Sequence, residues 1–176
     1  FFFLTNLSSQ LADLKNKRFD EKTVYKLNFK AFYKDIQVKH CGWNNQKIKR
    51  LYNKNITKYN SNDVHEDIIT DSLKIEELKG NVEHYSYHTI SEFIIKADRY
   101  STLFASNNAG KKSSSPVKAF FNGIYSFFRT YILKQGFRDG YVGLVIAFSH
   151  MVTNFYKYIK LYENNLELKN RYNDKK

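Results

Sequence analysis

The hydrophobic period of this chain changes once, near residue 88, and that switch limits what it can fold into. Before it, apolar residues alternate in short runs; after it, they return every three or four positions. Val24 to Phe29 alternates as a strand does, Phe32 to Val38 reads as its neighbour, and Lys47 to Tyr52 alternates again. Cys41-Gly42-Trp43-Asn44-Asn45 reads as a loop, because glycine and paired asparagines favour turns. A polar turn at Asn53, Lys54 and Asn55 leads to a short strand near Thr57, and Leu73 to Tyr87 reads as a strand pair turning at Lys79-Gly80-Asn81. Ahead of these, Leu4 to Lys17 carries Leu7, Leu11 and Leu14 at helical spacing and predicts a short amphipathic helix.

From Thr89 onward the signals are helical. Thr89 followed by Glu92 is a capping box, and Ile90, Phe93, Ile94, Ala97, Tyr100, Leu103 and Phe104 keep helical spacing behind it. Asn107 to Ser115 is a polar linker, and Ser115-Pro116 is a helix start with serine as the cap and proline at the first position. Val117 to Lys134 and Tyr141 to about Glu167 read as helices broken at Gly136 and Gly140. The expected fold is therefore α/β over residues 1–87 and a helical extension over residues 88–176, without internal repeats.

Charge follows the same division. The chain has 29 Lys and Arg against 17 Asp and Glu, a net of +12, and residues 111–176 hold 12 basic and 4 acidic side chains, a net of +8. The stretch Tyr141 to Tyr156 is 16 residues long and carries no charged side chain. That is short of the roughly 20 apolar residues a membrane-spanning helix needs, and leaves room for a helix lying in the interface. With one Pro, one Cys, 15 Phe and 14 Tyr, the chain is not collagen-like, disulfide-stapled, coiled-coil or acidic-tailed. Its single Cys41 fits a reducing compartment. The basic balance admits nucleic acid, an anionic membrane surface or a phosphorylated substrate as partners. Part of it reflects a bias of 23 Lys to 6 Arg that, with abundant Asn, suggests a genome of low GC content. The only methionine is Met151, so the reading opens at Phe1 without an initiator, and Phe1 to Leu4 is too short for a signal peptide.

Three groups of residues could carry chemistry. Asp63-Val64-His65-Glu66-Asp67 is the densest ionisable cluster, either a solvated acidic turn or a general base projecting from a sheet edge. Trp43 is either a packing anchor or part of a binding wall, and Arg50 suits the oxygens of phosphate or carboxylate. Arg138 and Asp139, between Gly136 and Gly140, either pair across a helix break or face a ligand. His84 and His88 could share a metal if helical, but they straddle a strand end and a cap. No zinc-finger cysteines, P-loop or Ser-His-Asp order is present.

Taken in order, five stretches form a pattern: Gly42-Trp43 with Arg50-Leu51-Tyr52; Val64-His65-Glu66; His84-Tyr85-Ser86-Tyr87; Lys96 with Arg99-Tyr100-Ser101; and Phe128 through Tyr131 to Gly143-Leu144, including Gly136-Phe137-Arg138-Asp139-Gly140. The pattern resembles family 2 glycosyltransferases, and more narrowly the bacterial lipopolysaccharide core sugar transferases, over about Leu4 to Glu163. It departs from that family after Gly42-Trp43, where Asn44-Asn45 stand in place of an aromatic residue and proline.

The resemblance implies a GT-A type, Rossmann-like catalytic sheet, of which residues 1–87 would be the C-terminal part. It also implies a nucleotide-sugar donor, a lipid-linked oligosaccharide acceptor, a divalent cation (Mg or Mn) and inversion at the anomeric carbon. The acidic motif that holds the metal in that family would lie upstream of the helix expected at Leu4 to Lys17, and no such motif precedes it here. A chain of this kind is expected to be inactive without that half. In this frame Glu66 is the expected base, Asp67 its fallback and His65 a residue that orients the base or approaches the metal. Trp43, Arg50, His84, Arg138 and Asp139 are expected to line the substrate site. The C-terminal helices, with Phe120, Phe121, Tyr125, Phe127, Phe128 and Tyr131, are expected to dock on the anionic inner face of the bacterial cytoplasmic membrane. The competing expectations are a basic nucleic-acid-binding module and a non-catalytic membrane-surface module. Aromatics at helix-core spacing and the lack of an RNA-binding motif argue against nucleic acid.

Overall fold

The computed structural model describes residues 2–5, 12, 15, 20–44, 46–60 and 67–174. They form two units: one from Phe1–Phe32 and Trp43–Ser86, the other from Tyr33–Gly42 and Tyr87–Lys176. The chain thus enters the second unit once, at residues 33–42, before it crosses for good at Tyr87.

The first unit is an antiparallel sheet. Strand β1 (Phe2–Thr5) pairs with β5 (Lys74–Tyr87) in the register Phe2 to His84 and Thr5 to Asn81. Strand β5 lies beside β2 (Thr23–Tyr33), which also pairs with β4 (Gln46–Leu51), Leu27 opposite Ile48 and Phe29 opposite Gln46. Strand β3 (Ile36–Gln37) belongs to the second unit. The alternation at Tyr25, Leu27 and Phe29 puts these side chains on one face. There Tyr25 and Phe29 pack with Leu78 and Val82, and Leu27, Ile48 and Leu51 close over them. Each such side chain contributes about 1.5–3 kcal/mol when fully buried. On β2 and β5, Asn28 and Asn81 form a cross-strand pair, Nδ2 donating to Oδ1 over 2.6 Å.

Four local expectations change. Leu4 and Thr5 are in a strand, not a helix; Ala12 and Lys15 are helical, and most of Leu4 to Lys17 lies outside the described residues. Strand β5 runs unbroken for 14 residues, where a hairpin at Lys79-Gly80-Asn81 was expected. Gly80 is buried and Asn81 and Val82 are held in the ladder to β1, so pairing on both flanks overrides the turn preference of the dipeptide. Strand β2 reaches Tyr33, and a left-handed Lys34 (φ 51°) turns the chain before Ile36, so no strand starts at Phe32. Around Thr57 there is a turn: Asn53 accepts the amides of Ile56 and Thr57 through its carbonyl and that of Asn55 through its side chain.

The second unit is helical. Helix α1 (Ile90–Asn108) starts at Thr89, whose Oγ1 accepts the Glu92 amide over 3.3 Å. The Glu92 carboxylate answers on the His88 amide, one residue before the cap, at 2.7 Å. The buried stripe is Phe93, Ala97, Ser101 and Ala105, while Ile94 and Ile95 are each 65% exposed, so the packed face is turned from the expected one. Tyr87 stacks on Phe93 at 3.8 Å, with the Lys96 ammonium 3.9 Å from the Tyr87 ring centre. Helix α2 (Pro116–Phe128) is capped by Ser115 as expected. It gives way to a π turn at Arg129–Leu133 and a 3₁₀ turn at Gly136–Asp139 before α3 (Gly140–Asn173), roughly 50 Å long at 1.5 Å per residue. Helices α1 and α2 both pack on α3. At Gly123 of α2, a Cβ would sit 3.2 Å from the Met151 carbonyl oxygen, so the small residue sets that close approach.

Candidate functional site

In the first unit the residues that flank the expected cluster on either side form a neck tied to β4. Tyr59 and Ile68 form an antiparallel bridge, the Asn60 amide donates to the Asp67 carbonyl at 2.8 Å, and the Ile69 amide donates to Lys58 at 3.1 Å. Residues 61–66, with His65 and Glu66, lie outside the described residues. Successive residues of β4 serve the neck. The Lys49 ammonium contacts the Asp67 carboxylate at 2.7 Å and donates to the Ile68 carbonyl at 3.0 Å. Arg50 donates from Nη1 to the Tyr59 hydroxyl at 2.9 Å, and Tyr59 meets Tyr52 edge-on at 5.7 Å.

Asp67 closes this neck. The Lys49 hydrogen bond, then the Ile68 amide on its Oδ1 at 2.9 Å, hold its carboxyl below the ordinary carboxylate value. A carboxylate so stabilised is a weaker proton acceptor, so Asp67 is better suited to holding the neck to Lys49 than to replacing Glu66 as base.

His84 lies on β5, where Nδ1 meets the Ser86 hydroxyl at 2.8 Å and the ring stands edge-on to Phe29 at 6.1 Å. An extended strand leading to Tyr87 removes the helical spacing that a His84 and His88 metal pair requires. Arg50 is aligned with the Tyr25–Lys26 end of β2 and His84 with Phe29, three to four residues away, or roughly 10–13 Å along a strand. The fold therefore does not bring Arg50 and His84 together. Trp43 is half-buried in the turn before β4.

A second feature of this unit had no clear sequence signal. Asp20, Glu21, Thr23, Tyr25, Tyr52 and Asn53 line a cavity of about 510 Å³. Asp20 accepts from the Thr23 hydroxyl at 2.7 Å and the Lys22 amide at 3.1 Å, and those bonds lower its pKa. Tyrosine rings and carboxylates around one hollow suit a polyhydroxylated ligand.

In the second unit Arg138 and Asp139 do not pair with each other. Arg138 donates to the Gln135 side chain at 2.8 Å. Asp139, its side chain 4% exposed, accepts the backbone amides of Lys39 (3.3 Å) and His40 (2.8 Å) and meets the His40 ring nitrogen at 2.8 Å. Beside it Cys41 is fully buried, its amide donating to the Lys134 carbonyl at 3.0 Å. Burial first, and then Asp139, push the Cys41 thiol up to about 12, which removes it as a nucleophile at neutral pH. Asp139 is thus the latch that seats residues 38–42 in the break between α2 and α3.

The same break holds a half-buried imidazole. His150 on α3 meets the hydroxyl of the buried Thr130, inside the π turn, at 3.0 Å. Burial, and then Lys134 and Lys157, lower its pKa from 6.5 to about 4. The unfolded chain therefore binds a proton here before the folded one does, and stability is lost as pH falls from about 6.5 to about 4. The linked loss is about 3 kcal/mol by pH 4, from 1.36 kcal/mol per pKa unit. Urea titrations between pH 7 and pH 4 should show it in the native chain and not in His150→Gln; equal slopes would refute it.

Among the described residues, no three His, Cys, Asp or Glu side chains gather as a metal-binding group. The divalent cation implied by the resemblance thus finds no donor set among them. None of the helices described is long and apolar enough to cross a membrane. No protein-family model matches the chain. No solved structure matches it.

Proposed function

We propose that this chain belongs to a glycosyltransferase of the family 2 type. It would move a sugar from a nucleotide-sugar donor to a lipid-linked oligosaccharide of the lipopolysaccharide core, with inversion, at the inner face of the bacterial cytoplasmic membrane. Under this reading the antiparallel sheet is the C-terminal portion of a GT-A catalytic sheet and the helical unit its extension. The observation that supports it most is the neck. The stretch resembling the family's base segment, Val64-His65-Glu66, is flanked by Asn60 and Asp67, which are hydrogen-bonded to each other, and Lys49 and Arg50 of β4 reach those flanks at Asp67 and Tyr59.

Glu66 takes the proton of an acceptor hydroxyl as that oxygen bonds to the anomeric carbon. The bond from that carbon to the diphosphate oxygen breaks, and its electron pair leaves with the nucleoside diphosphate. Arg50, held by Tyr59, offers a guanidinium to the negative charge that develops. The tyrosine and carboxylate hollow between β2 and β4 is the place for acceptor sugar rings. A divalent cation would neutralise the diphosphate, and no step is assigned to it because the described residues offer no set of ligands.

The test is Glu66→Gln in an enzyme that carries this chain together with a donor-binding half. Turnover of the nucleotide sugar should fall to a small fraction of wild type while donor affinity stays nearly constant. Near wild-type turnover would remove Glu66 as base. Absence of any transfer or hydrolysis across a panel of nucleotide sugars by the unmodified enzyme would remove the function itself.

A further inference from the structure

We infer that the helical unit carries a surface that lies in the interface of an anionic lipid bilayer, and that the π turn between α2 and α3 extends that surface beyond one helix. On α2, Val117, Phe120, Phe121, Ile124, Tyr125 and Phe128 recur at helical spacing and are all exposed, Phe120 by 56% and Phe121 by 64%. The opposite, small-residue side of the helix, Ala119 and Gly123, is the one that is buried. Leu133 in the π turn, Phe137 in the 3₁₀ turn, and Tyr141, Leu144 and Phe148 on α3 are exposed as well. Phe127 and Tyr131, expected on this surface, stack on each other at 5.4 Å and are half-buried instead. So much exposed apolar surface is larger than the isolated patches of an ordinary water-facing domain.

Charge chooses the occupant. Residues 111–148 contain six cations, Lys111, Lys112, Lys118, Arg129, Lys134 and Arg138, and a single carboxylate, Asp139. That carboxylate is buried and bound by residues 39 and 40, so the charge this segment shows outward is positive throughout. At the N-terminal end of α2, Lys111, Lys112 and Lys169 line an open depression of about 600 Å³ with no acidic residue in its wall. A second copy of the chain would set these cations against themselves. Nucleic acid would use the rings, but Val117, Ile124, Leu133 and Leu144 cannot stack on bases. Aromatic and aliphatic side chains ringed by lysine and arginine match the acyl boundary and headgroups of an anionic membrane. With no described helix able to cross the bilayer, α2 would lie in its plane.

This inference shares with the transferase reading only the place at a membrane, and its test measures no turnover, so either can fail without the other. The purified chain is sedimented with vesicles of phosphatidylcholine alone and with vesicles of phosphatidylcholine and phosphatidylglycerol in equal parts. Binding should favour the anionic vesicles by at least about tenfold and weaken with salt. The double variant Phe120→Glu, Phe121→Glu should lose at least about tenfold, as should Lys111→Glu, Lys112→Glu, with helical circular dichroism unchanged in both. These side chains are exposed, so the substitutions remove only surface contacts: the edge contact between Phe120 and Phe121, the Lys111 bond to the Asn107 carbonyl and the approach of Lys112 to the Phe104 ring. The inference is overturned by equal binding to both vesicles, by no binding, or by variants that bind as wild type. It is overturned equally by sedimentation showing a dimer that the phenylalanine variant abolishes, or by RNA binding lost in the same variants without vesicle binding.

Discussion

Gly143→Ala is expected to destabilise the helical unit by about 3 kcal/mol or more, the upper end of what overpacking costs. A Cβ at Gly143 would overlap the carbonyl oxygen of Gly136 and lie 2.7 Å from its carbon. Both are main-chain atoms of the 3₁₀ turn, so no flexible side chain can yield. Nor can the turn move easily the other way. A Cβ on Gly136 would already be 2.8 Å from the Thr130 carbonyl oxygen and 2.9 Å from the Cys41 sulfur. The break between α2 and α3 is therefore closed by two glycines packed backbone to backbone, with the Cys41 loop filling the remaining side. Gly140 provides the control. Nothing lies within 4 Å of a Cβ there, but its φ of +60° and ψ of −138° are a backbone state reserved for glycine. Gly140→Ala should cost only the conformational strain, about 1–3 kcal/mol. Urea unfolding of the two variants separates the effects, and a Gly143→Ala midpoint at or above that of Gly140→Ala would refute the packing argument.

What could be read in the sequence was local. Thr89 with Glu92 and Ser115 with Pro116 announce helix starts because capping is settled within four residues. Strands β2 and β4 show in the alternation of Val24 to Phe29 and Lys47 to Leu51, since each has one face on the core. What escaped depends on distant chain. Lys79-Gly80-Asn81 carries turn chemistry, and only the strands on both sides of β5 hold it straight. The exposed row on α1 misled because the exposed Ile94 and Ile95 are as apolar as the buried positions beside them, so the pattern does not say which face meets α3.

The candidate site divides in the same way. Arg50 and Asp67 were legible as charged residues near the His-Glu pair. Their partners Tyr59 and Lys49 were not, because a strand places neighbouring side chains on opposite faces and only the folded loop says what each reaches. The hollow lined by Asp20, Tyr25 and Tyr52 joins residues from two strands and left no trace in either alone. The exposed apolar surface of the helical unit was foreseen, and its membership changed for a physical reason. Phe127 at the end of α2 and Tyr131 within the π turn stack on each other and are half-buried, while Leu133 and Phe137 are exposed.

Asp139→Ala should release residues 38–42 from that break and cost about 3 kcal/mol, in the range measured when one partner of a buried, hydrogen-bonded charge is removed. The carboxylate receives the amides of Lys39 and His40 together with the His40 ring, and all come from a segment 99 or 100 residues away. Alanine would take from the His40 amide and ring nitrogen the acceptor they share in the native fold. Asp139→Asn keeps one acceptor oxygen but turns a donor toward the other amide, so it should lose less than alanine and still fall below wild type. The neighbouring thiol supplies a direct readout. Cys41 is fully buried in the native fold, and burial with Asp139 holds its pKa up to about 12. Once the loop opens, both causes vanish and the thiol returns toward its ordinary value, where thiolate is present at pH 8. Alkylation of Cys41 should therefore accelerate at least about tenfold in Asp139→Ala, well before global unfolding, because local opening and not complete denaturation exposes the sulfur. A thiol that stays protected in a variant of unchanged stability would mean that residues 38–42 are held by packing against Gly136 and not by the carboxylate.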